Sequence, residues 1–275
     1  MPRRTQLIPW KSAGRASERY VSGDDVVRET GWVFNNAVGD QLTVAEFVAT
    51  GDDEVPTYLD LFGLRNESPD ATIVEIGSGI GRMTCALTRD FGCVIAGDLD
   101  AGFLERCRET VARFGKVDRL RTLEMPDGRS LDLPTDNVDV AFSYITLQHC
   151  EHDDALHLAS EAVRVTRPGG RIALNLRSRS SADVVTLPLG ALVRTLFRVP
   201  GFGNWLSRRR TAARLAWQAN RLEPRELLAE IGDQLDDVVI WRHPDGKVSP
   251  AGAATSEFDG INEHHWWLVA TVRDT

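Results

Sequence analysis

Gly77, Gly79 and Gly81 stand at alternate positions in TIVEIGSGIGRM (72–83), directly after a β-branched run that carries one acid, Glu75. A strand that turns into a helix through glycines brings backbone N–H groups and a helix N-terminus close to a ligand, and any Cβ there blocks the approach. Several kinds of nucleotide site share that chemistry. A dinucleotide fingerprint requires glycines at 77, 79 and 82, and position 82 is Arg82. The second candidate for chemistry is His149 in LQHCEH, which follows a predicted fourth strand and has the residue type of a general base. Its alternative is a structural histidine that steadies the loop. HCEHDD (149–154) also contains metal-ligand residue types, but charged stretches of this kind are usually solvated helix starts, and no metal is expected.

The elements that must position these residues begin at 71. ATIVEI reads as a buried strand, and after the glycines Ile80, Met83, Thr84, Leu87 and Phe91 fall on one helical face. CVIAG (93–97) is a second strand, followed by a helix with Phe103, Cys107, Val111 and Phe114 on its inner side. RLRTLEM (119–125), VDVAFSY (138–144) and RIALNL (171–176) continue as strands, with a helix near 153–166 before RPGG. Alternation of this kind means a parallel sheet with helices on both faces. Upstream, residues 1–23 read as a loosely held basic arm, and 40–64 as two short helices broken around TGDDEVP, with Pro56 starting the second. Downstream, PRELLAEIG (224–232) is a helix, and DVVIWR (237–242) and HHWWLVATV (264–272) are two late strands, the paired Trp266 and Trp267 reading as packing and edge.

Composition narrows the partners. Lys plus Arg is 32 and Asp plus Glu 40, a formal charge of −8 that disfavours general attraction to nucleic acid. The four cysteines, Cys85, Cys93, Cys107 and Cys150, show no CxxC pair and no zinc spacing, and no apolar signal region precedes them, so they read as reduced thiols of a cytoplasmic protein. The longest apolar stretch, 184–202, contains two arginines and two prolines, and no membrane span is predicted.

The spacing E-x-G-x-G-x-G from Glu75 to Gly81 resembles the first motif of the class I S-adenosylmethionine-dependent methyltransferases, and three further segments agree in order. VIAGDLD is similar to the family's second motif, MPDGRSLDLPTDNVDVAFSYITLQH to the segment from the adenine contact through strand four, and VRVTRPGGRIAL to the turn and fifth strand. The resemblance implies an α/β Rossmann-like doubly wound sheet of seven strands in the order 3-2-1-4-5-7-6, the seventh antiparallel. It also implies S-adenosyl-L-methionine as cofactor, with the glycines letting the main chain pass against its methionine moiety. The cofactor contacts it implies are Glu75, Gly77, Ser78, Gly79, Gly81, Asp98, Leu99, Asp127, Gly128 and Ser143. Asp98 takes the ribose hydroxyls, a role that a carboxylate closing strand two can fill on physical grounds as well, while Asp100 caps the following helix. Glu75 anchors the glycine loop or faces the cofactor's ammonium group. Asp127 is mapped to the adenine, though PDG is also a common turn. Trp32 and Phe34 either close over the cofactor or pack.

The expected organisation is an arm and helical cap (1–64), a cofactor-binding core (65–176), a basic insert (177–225) and a C-terminal helix with the last two strands (226–275). The insert carries ten arginines against Asp183 and Glu223, with Leu192, Val193, Leu196 and Phe197 on a shared helical face. It reads as a lid over a small-molecule, glycan or lipid-type acceptor that is anionic or partly apolar; docking at an anionic membrane surface and a plain solvated cover are the alternatives. The expected activity is methyl transfer to an oxygen or nitrogen. A cofactor-binding relative without catalysis and a nicotinamide-dependent oxidoreductase are the other readings. Neither the acceptor nor an oligomeric state follows from the sequence.

Overall fold

The computed structural model describes residues 22–35, 37–65, 70–199, 201–206, 209–217 and 220–274. The expected N-terminal arm therefore lies outside the described residues up to position 21. The chain divides into two compact units, one reaching Asp132 and including Val138–Val140, the other made of Leu133–Asn137 and everything from Ala141 onward.

The first unit opens with helix α1 (Gly23–Thr30), started by a capping box between Ser22 and Asp25. Helix α2 (Val44–Leu61) starts with a second capping box, Thr43 with Glu46. It is one helix, not the two expected on either side of TGDDEVP. Pro56 inside it lacks a donor and crowds the carbonyl four residues back, at a cost of roughly 3 kcal/mol. The helix continues because Val48, Val55, Tyr58 and Leu59 bury one face across the proline. Gly51 on the same helix lies so close to the Arg82 carbonyl oxygen that a Cβ would stand 2.2 Å from it.

Strand β1 (Thr72–Ile76) leads through the glycines into α3 (Arg82–Asp90), and β2 (Cys93–Asp98) leads into α4 (Ala101–Phe114). As expected, Asp100 caps α4, its Oδ1 accepting from the N–H groups of Gly102 and Phe103 at 2.8 and 3.3 Å. β1 and β2 are parallel with Glu75 beside Ala96, and β2 is parallel to β3 (Leu120–Glu124) with Asp98 beside Glu124. Cys85 of α3, Ala96 of β2 and Cys107 and Val111 of α4 form a buried cluster with Val48 of α2. Strand β4 (Val138–Ser143) enters both units.

In the second unit α5 (His152–Val165) runs straight into β5 (Thr166–Arg177), which is longer than the expected RIALNL and takes in the RPGG turn. A helical segment follows: α6 (Asp183–Phe197), α7 (Gly203–Leu206), α8 (Arg210–Trp217) and α9 (Pro224–Ile231), the last with proline at its first position. Of the four apolar residues expected to share a face of α6, Val193 and Phe197 are buried, Leu196 is half-buried and Leu192 is exposed. The chain ends with β6 (Leu235–Arg242), β7 (Ala254–Glu257) and β8 (His265–Val272).

The strands form a sheet of eight in the order β3-β2-β1-β4-β5-β8-β6-β7. The expected seven-stranded order is present, with β8 as the antiparallel strand between β5 and β6. The correction is β7, which pairs parallel with β6 at the edge, Val239 beside Ala254. Its sequence, ATSE, is short and mostly exposed, so it carries no alternation of apolar residues to reveal it. A second correction concerns Trp266 and Trp267: both are completely buried, and β8 is an interior strand rather than an edge.

Candidate functional site

In the first unit the N–H groups of Gly77 and Ser78 both donate to the carbonyl of Gly97, at 2.8 and 2.9 Å, which folds the loop back over the end of β2. All three glycines have left-handed backbone, with φ of 84°, 55° and 95°. Their reasons differ. A Cβ on Gly81 would stand 3.1 Å from Cys107 Sγ, so this glycine permits the approach of α3 to α4. A Cβ on Gly79 would meet nothing within 4 Å. Gly79 borders open space, where its bare backbone is available to a ligand.

Asp98 lies beside that opening. Its Oδ2 accepts from the Gly79 N–H at 2.9 Å and its Oδ1 from the Asp100 N–H at 3.0 Å. A carboxylate has about four lone-pair sites, so each oxygen retains acceptor capacity. Burial pushes the acid up to about 6, with the Asp100 charge reinforcing the rise and the N–H groups of Asp100, Gly79 and Leu99 opposing it. A buried carboxylate, braced by backbone and next to a stretch of main chain without a side chain, fits the vicinal hydroxyls of a nucleoside.

Glu75 lies buried at the end of β1 and accepts from Thr84 Oγ1 at 2.6 Å. Burial pushes it up to about 7, with the Thr84 bond and the Arg82 charge opposing and the Asp98 charge reinforcing the rise. Leu99 is half-buried next to Asp98. Asp127 closes its own turn: Oδ1 accepts from the N–H groups of Arg129 and Ser130, both at 3.0 Å, and Oδ2 from Ser130 Oγ at 2.8 Å. Burial works against its ionisation, but these donors hold the carboxyl below its usual value. Gly128 in the same turn has φ of 63°.

Arg82, which in the sequence stands out only as a missing glycine, has a structural role of its own. It is buried, donates to Glu54 Oε2 at 3.1 Å and Thr50 Oγ1 at 3.2 Å on α2, and sits 3.9 Å over the ring of Phe34. Phe34 in turn meets Phe47 edge-on at 5.8 Å. The N-terminal helices are thereby fastened to the first turn of α3. Trp32 is buried, its indole N–H donating to the Glu29 carbonyl at 2.9 Å.

In the second unit Ser143 is completely buried at the end of β4, and the next residue, Tyr144, stacks on Trp267 with ring centroids 5.4 Å apart. His149 ends a short turn after β4. Its Nδ1 lies 3.0 Å from the Trp217 carbonyl oxygen, which can only accept, so Nδ1 carries the proton. The ring packs against Trp217 at 4.9 Å, and Nε2 is 3.3 Å from the side-chain nitrogen of Gln148. Burial pushes the imidazole down to about 3, with Arg221 and Arg177 reinforcing and the Trp217 bond opposing. A cavity of about 390 Å³ in this unit is lined by Arg179, His152 and Ser180 together with Val184 and Leu187. Asp183 and Arg221 also line it, and Arg221 grips Asp183 through two bonds, at 3.0 and 3.1 Å, both side chains buried. Among the described residues no cluster of His, Cys, Asp or Glu could hold a metal, and none of the four cysteines is in a disulfide.

Residues 74–174 match the profile described as "Methyltransferase domain". This segment is a methyltransferase domain. The chain is 32% identical over 121 residues to a malonyl-[acyl-carrier protein] O-methyltransferase of Methylococcus capsulatus, a match covering 42% of this chain and 41% of that protein. The chain spans about two fifths of the length of the first curated relatives it matches. Among solved structures, magnesium protoporphyrin IX methyltransferase from Synechocystis PCC 6803 with bound SAH aligns at a TM-score of 0.53 and 14% identity, covering 91% of this chain and 98% of that one. The CurJ carbon methyltransferase aligns at 0.51 and 14%, covering 82% and 55%. At such identities the two structures share the fold.

Within the methyltransferase domain, the structure brings Glu75, the glycine loop and Asp98 together at the carboxyl ends of β1 and β2, linked by the Gly97 carbonyl and the Gly79 N–H. The Arg82 cluster is invisible in the sequence because its partners, Thr50 and Glu54, lie about thirty residues upstream, on a helix whose local pattern reads as broken.

Proposed function

We propose that the chain is a cytoplasmic S-adenosylmethionine-dependent methyltransferase acting on an oxygen or nitrogen of a small-molecule, glycan or lipid-type acceptor that is anionic or partly apolar. The observation that carries this reading is Asp98, a buried carboxylate held by two backbone N–H groups beside the open space at Gly79. S-adenosylmethionine supplies an electrophilic methyl group on a sulfonium. Asp98 accepts from its ribose hydroxyls, Gly79 gives it the bare main chain, Gly77, Ser78 and Gly81 shape the loop around it, and Glu75 faces its ammonium group. Leu99, Asp127, Gly128 and Ser143 complete the proposed contacts.

Holding an acceptor in line with the methyl group is worth effective molarities of about 10⁵ M or more, so orientation alone can supply much of the rate. In the second unit, a cavity lined by Arg179 and His152 together with Val184 and Leu187 supports an acceptor with an anionic and an apolar part. His149, expected as the base, is read as a neutral tether. An imidazole pushed down to about 3 removes a proton poorly near neutrality. The acceptors that match are therefore nucleophilic as they stand: a carboxylate oxygen or an amine, rather than an alcohol. The relative named an O-methyltransferase supports oxygen.

Calorimetry with S-adenosylhomocysteine and with NAD, followed by transfer of labelled methyl to a panel of carboxylates, amines and alcohols, tests the reading. S-adenosylhomocysteine should bind, NAD should not, and turnover should appear with carboxylates or amines. Preference for NAD overturns the cofactor. Tight binding of S-adenosylhomocysteine with no turnover on any acceptor identifies a binding protein that lacks catalysis.

A further inference from the structure

Helix α6 has only two charged residues, Asp183 and Arg194, in fifteen. Asp183 is buried against Arg221. One side of the helix is covered: Gly190, Val193 and Phe197 are buried, and a Cβ on Gly190 would stand 2.6 Å from the Leu215 carbonyl oxygen, so α8 presses against it there. The opposite side is apolar and bare. Val184 is 80% exposed, Val185 69%, Leu189 43% and Leu192 57%, and these positions follow one another at the spacing of a single helical stripe. Past the helix Val199, Phe202 and Trp205 are exposed as well. Among the described residues, seven of the nine exposed large apolar side chains fall between Val184 and Trp205. Contiguous exposure of this kind marks an interaction surface, whereas scattered single residues do not.

The margin of the stripe is basic. Arg198 and Arg209 are exposed, and the Arg209 guanidinium lies 5.4 Å over the ring of Trp205, which also meets Phe202 at 5.1 Å. Aliphatic side chains with a tryptophan and arginines at their edge combine what enters the acyl boundary with what stays among headgroups. A second copy of the chain is a poor occupant, because it would bring together two segments that each carry ten arginines against two acids. No helix of the described residues is long and apolar enough to cross a membrane, so the contact is with a surface.

We propose that the exposed face of α6, together with Trp205, docks the protein on an anionic lipid surface. The inference does not depend on the identity of the cofactor or the acceptor. Co-sedimentation with vesicles of phosphatidylcholine alone, and with about a third phosphatidylglycerol, tests it on the full chain. Binding to the anionic vesicles should exceed binding to the neutral ones by at least about tenfold and weaken with added salt. The double substitution Val185→Glu with Leu192→Glu should reduce anionic-vesicle binding by tenfold or more, and Arg198→Gln with Arg209→Gln should reduce the preference for anionic lipid. All four side chains are exposed, so melting temperature and S-adenosylhomocysteine affinity should stay at wild-type values and show that the variants fold. Absence of vesicle binding, or binding that neither pair alters, overturns the proposal. A self-association in sedimentation equilibrium that Leu192→Glu abolishes, without vesicle binding, assigns the face to a second copy instead.

Discussion

Asp98 in the first compact unit and His149 in the second are both withdrawn from water, and in both burial drives the group toward its neutral form, the acid up to about 6 and the imidazole down to about 3. Their surroundings differ in one respect. Asp98 is braced by backbone N–H groups, with Gly79 on one oxygen and Asp100 on the other, and borders open space at Gly79. His149 has its protonated nitrogen on the Trp217 carbonyl, its other nitrogen beside the Gln148 amide, and its ring on an indole. A buried polar group with unused capacity and a route to solvent is equipped for a ligand, whereas one whose capacity is taken up by its own chain holds the fold together. A shifted proton affinity is common to both and does not separate them.

Removing Asp98 should have the largest effect. Asp98→Ala deletes two bonds to a charged acceptor, each worth about 1.5 to 3 kcal/mol, so S-adenosylhomocysteine affinity should fall by roughly 100-fold or more in calorimetry. Unchanged affinity would put the ribose elsewhere and dissolve the contrast.

His149→Ala comes next, and its effect should be on stability. Loss of the bond to Trp217 and of the ring contact amounts to about 1–3 kcal/mol, a fall in Tm of roughly 2–10 °C by scanning calorimetry, with turnover reduced less than about tenfold. Turnover slowed by about a hundredfold or more at unaltered Tm would restore the histidine as a base and make the two sites alike.

The smallest effects are titrations. With Asp98 near 6, about a tenth of it is ionised at pH 5, so S-adenosylhomocysteine should bind up to about tenfold more weakly there than at pH 8. Glu75 sharpens the same point through stability. Its folded value, about 7, lies above the ordinary 4.5, so the native state holds the proton more tightly than the unfolded chain, and that stabilisation is lost as pH rises from about 4.5 to about 7. Glu75→Gln removes the loss. Without ligand, its Tm should gain on the wild type by several degrees, for roughly 2–3 kcal/mol, between pH 5 and pH 8 in a thermal melt. Parallel melting curves across that range would show that Glu75 does not titrate there.

Local pattern made much of the domain legible. The strand, glycine turn and helix at 72–90, the second strand ending at Asp98, and Asp100 as the cap of α4 follow from β-branched runs, positions that exclude a Cβ and a side chain that bonds its own neighbours. Such features are written in a few consecutive residues. Four points were decided only by tertiary structure. Helix α2 runs through Pro56 because apolar residues on both sides of it are buried together. The edge strand β7 forms on the hydrogen-bonding groups of β6 without an apolar pattern of its own. Arg82 finds Thr50, Glu54 and Phe34 across the helix pair. The role of His149 turns on Trp217, sixty-eight residues away in the chain. Sequence spacing specifies what a segment prefers by itself, but the strength of an interaction between distant residues depends on distance, orientation and the water excluded around them, and those quantities exist only once the chain has folded.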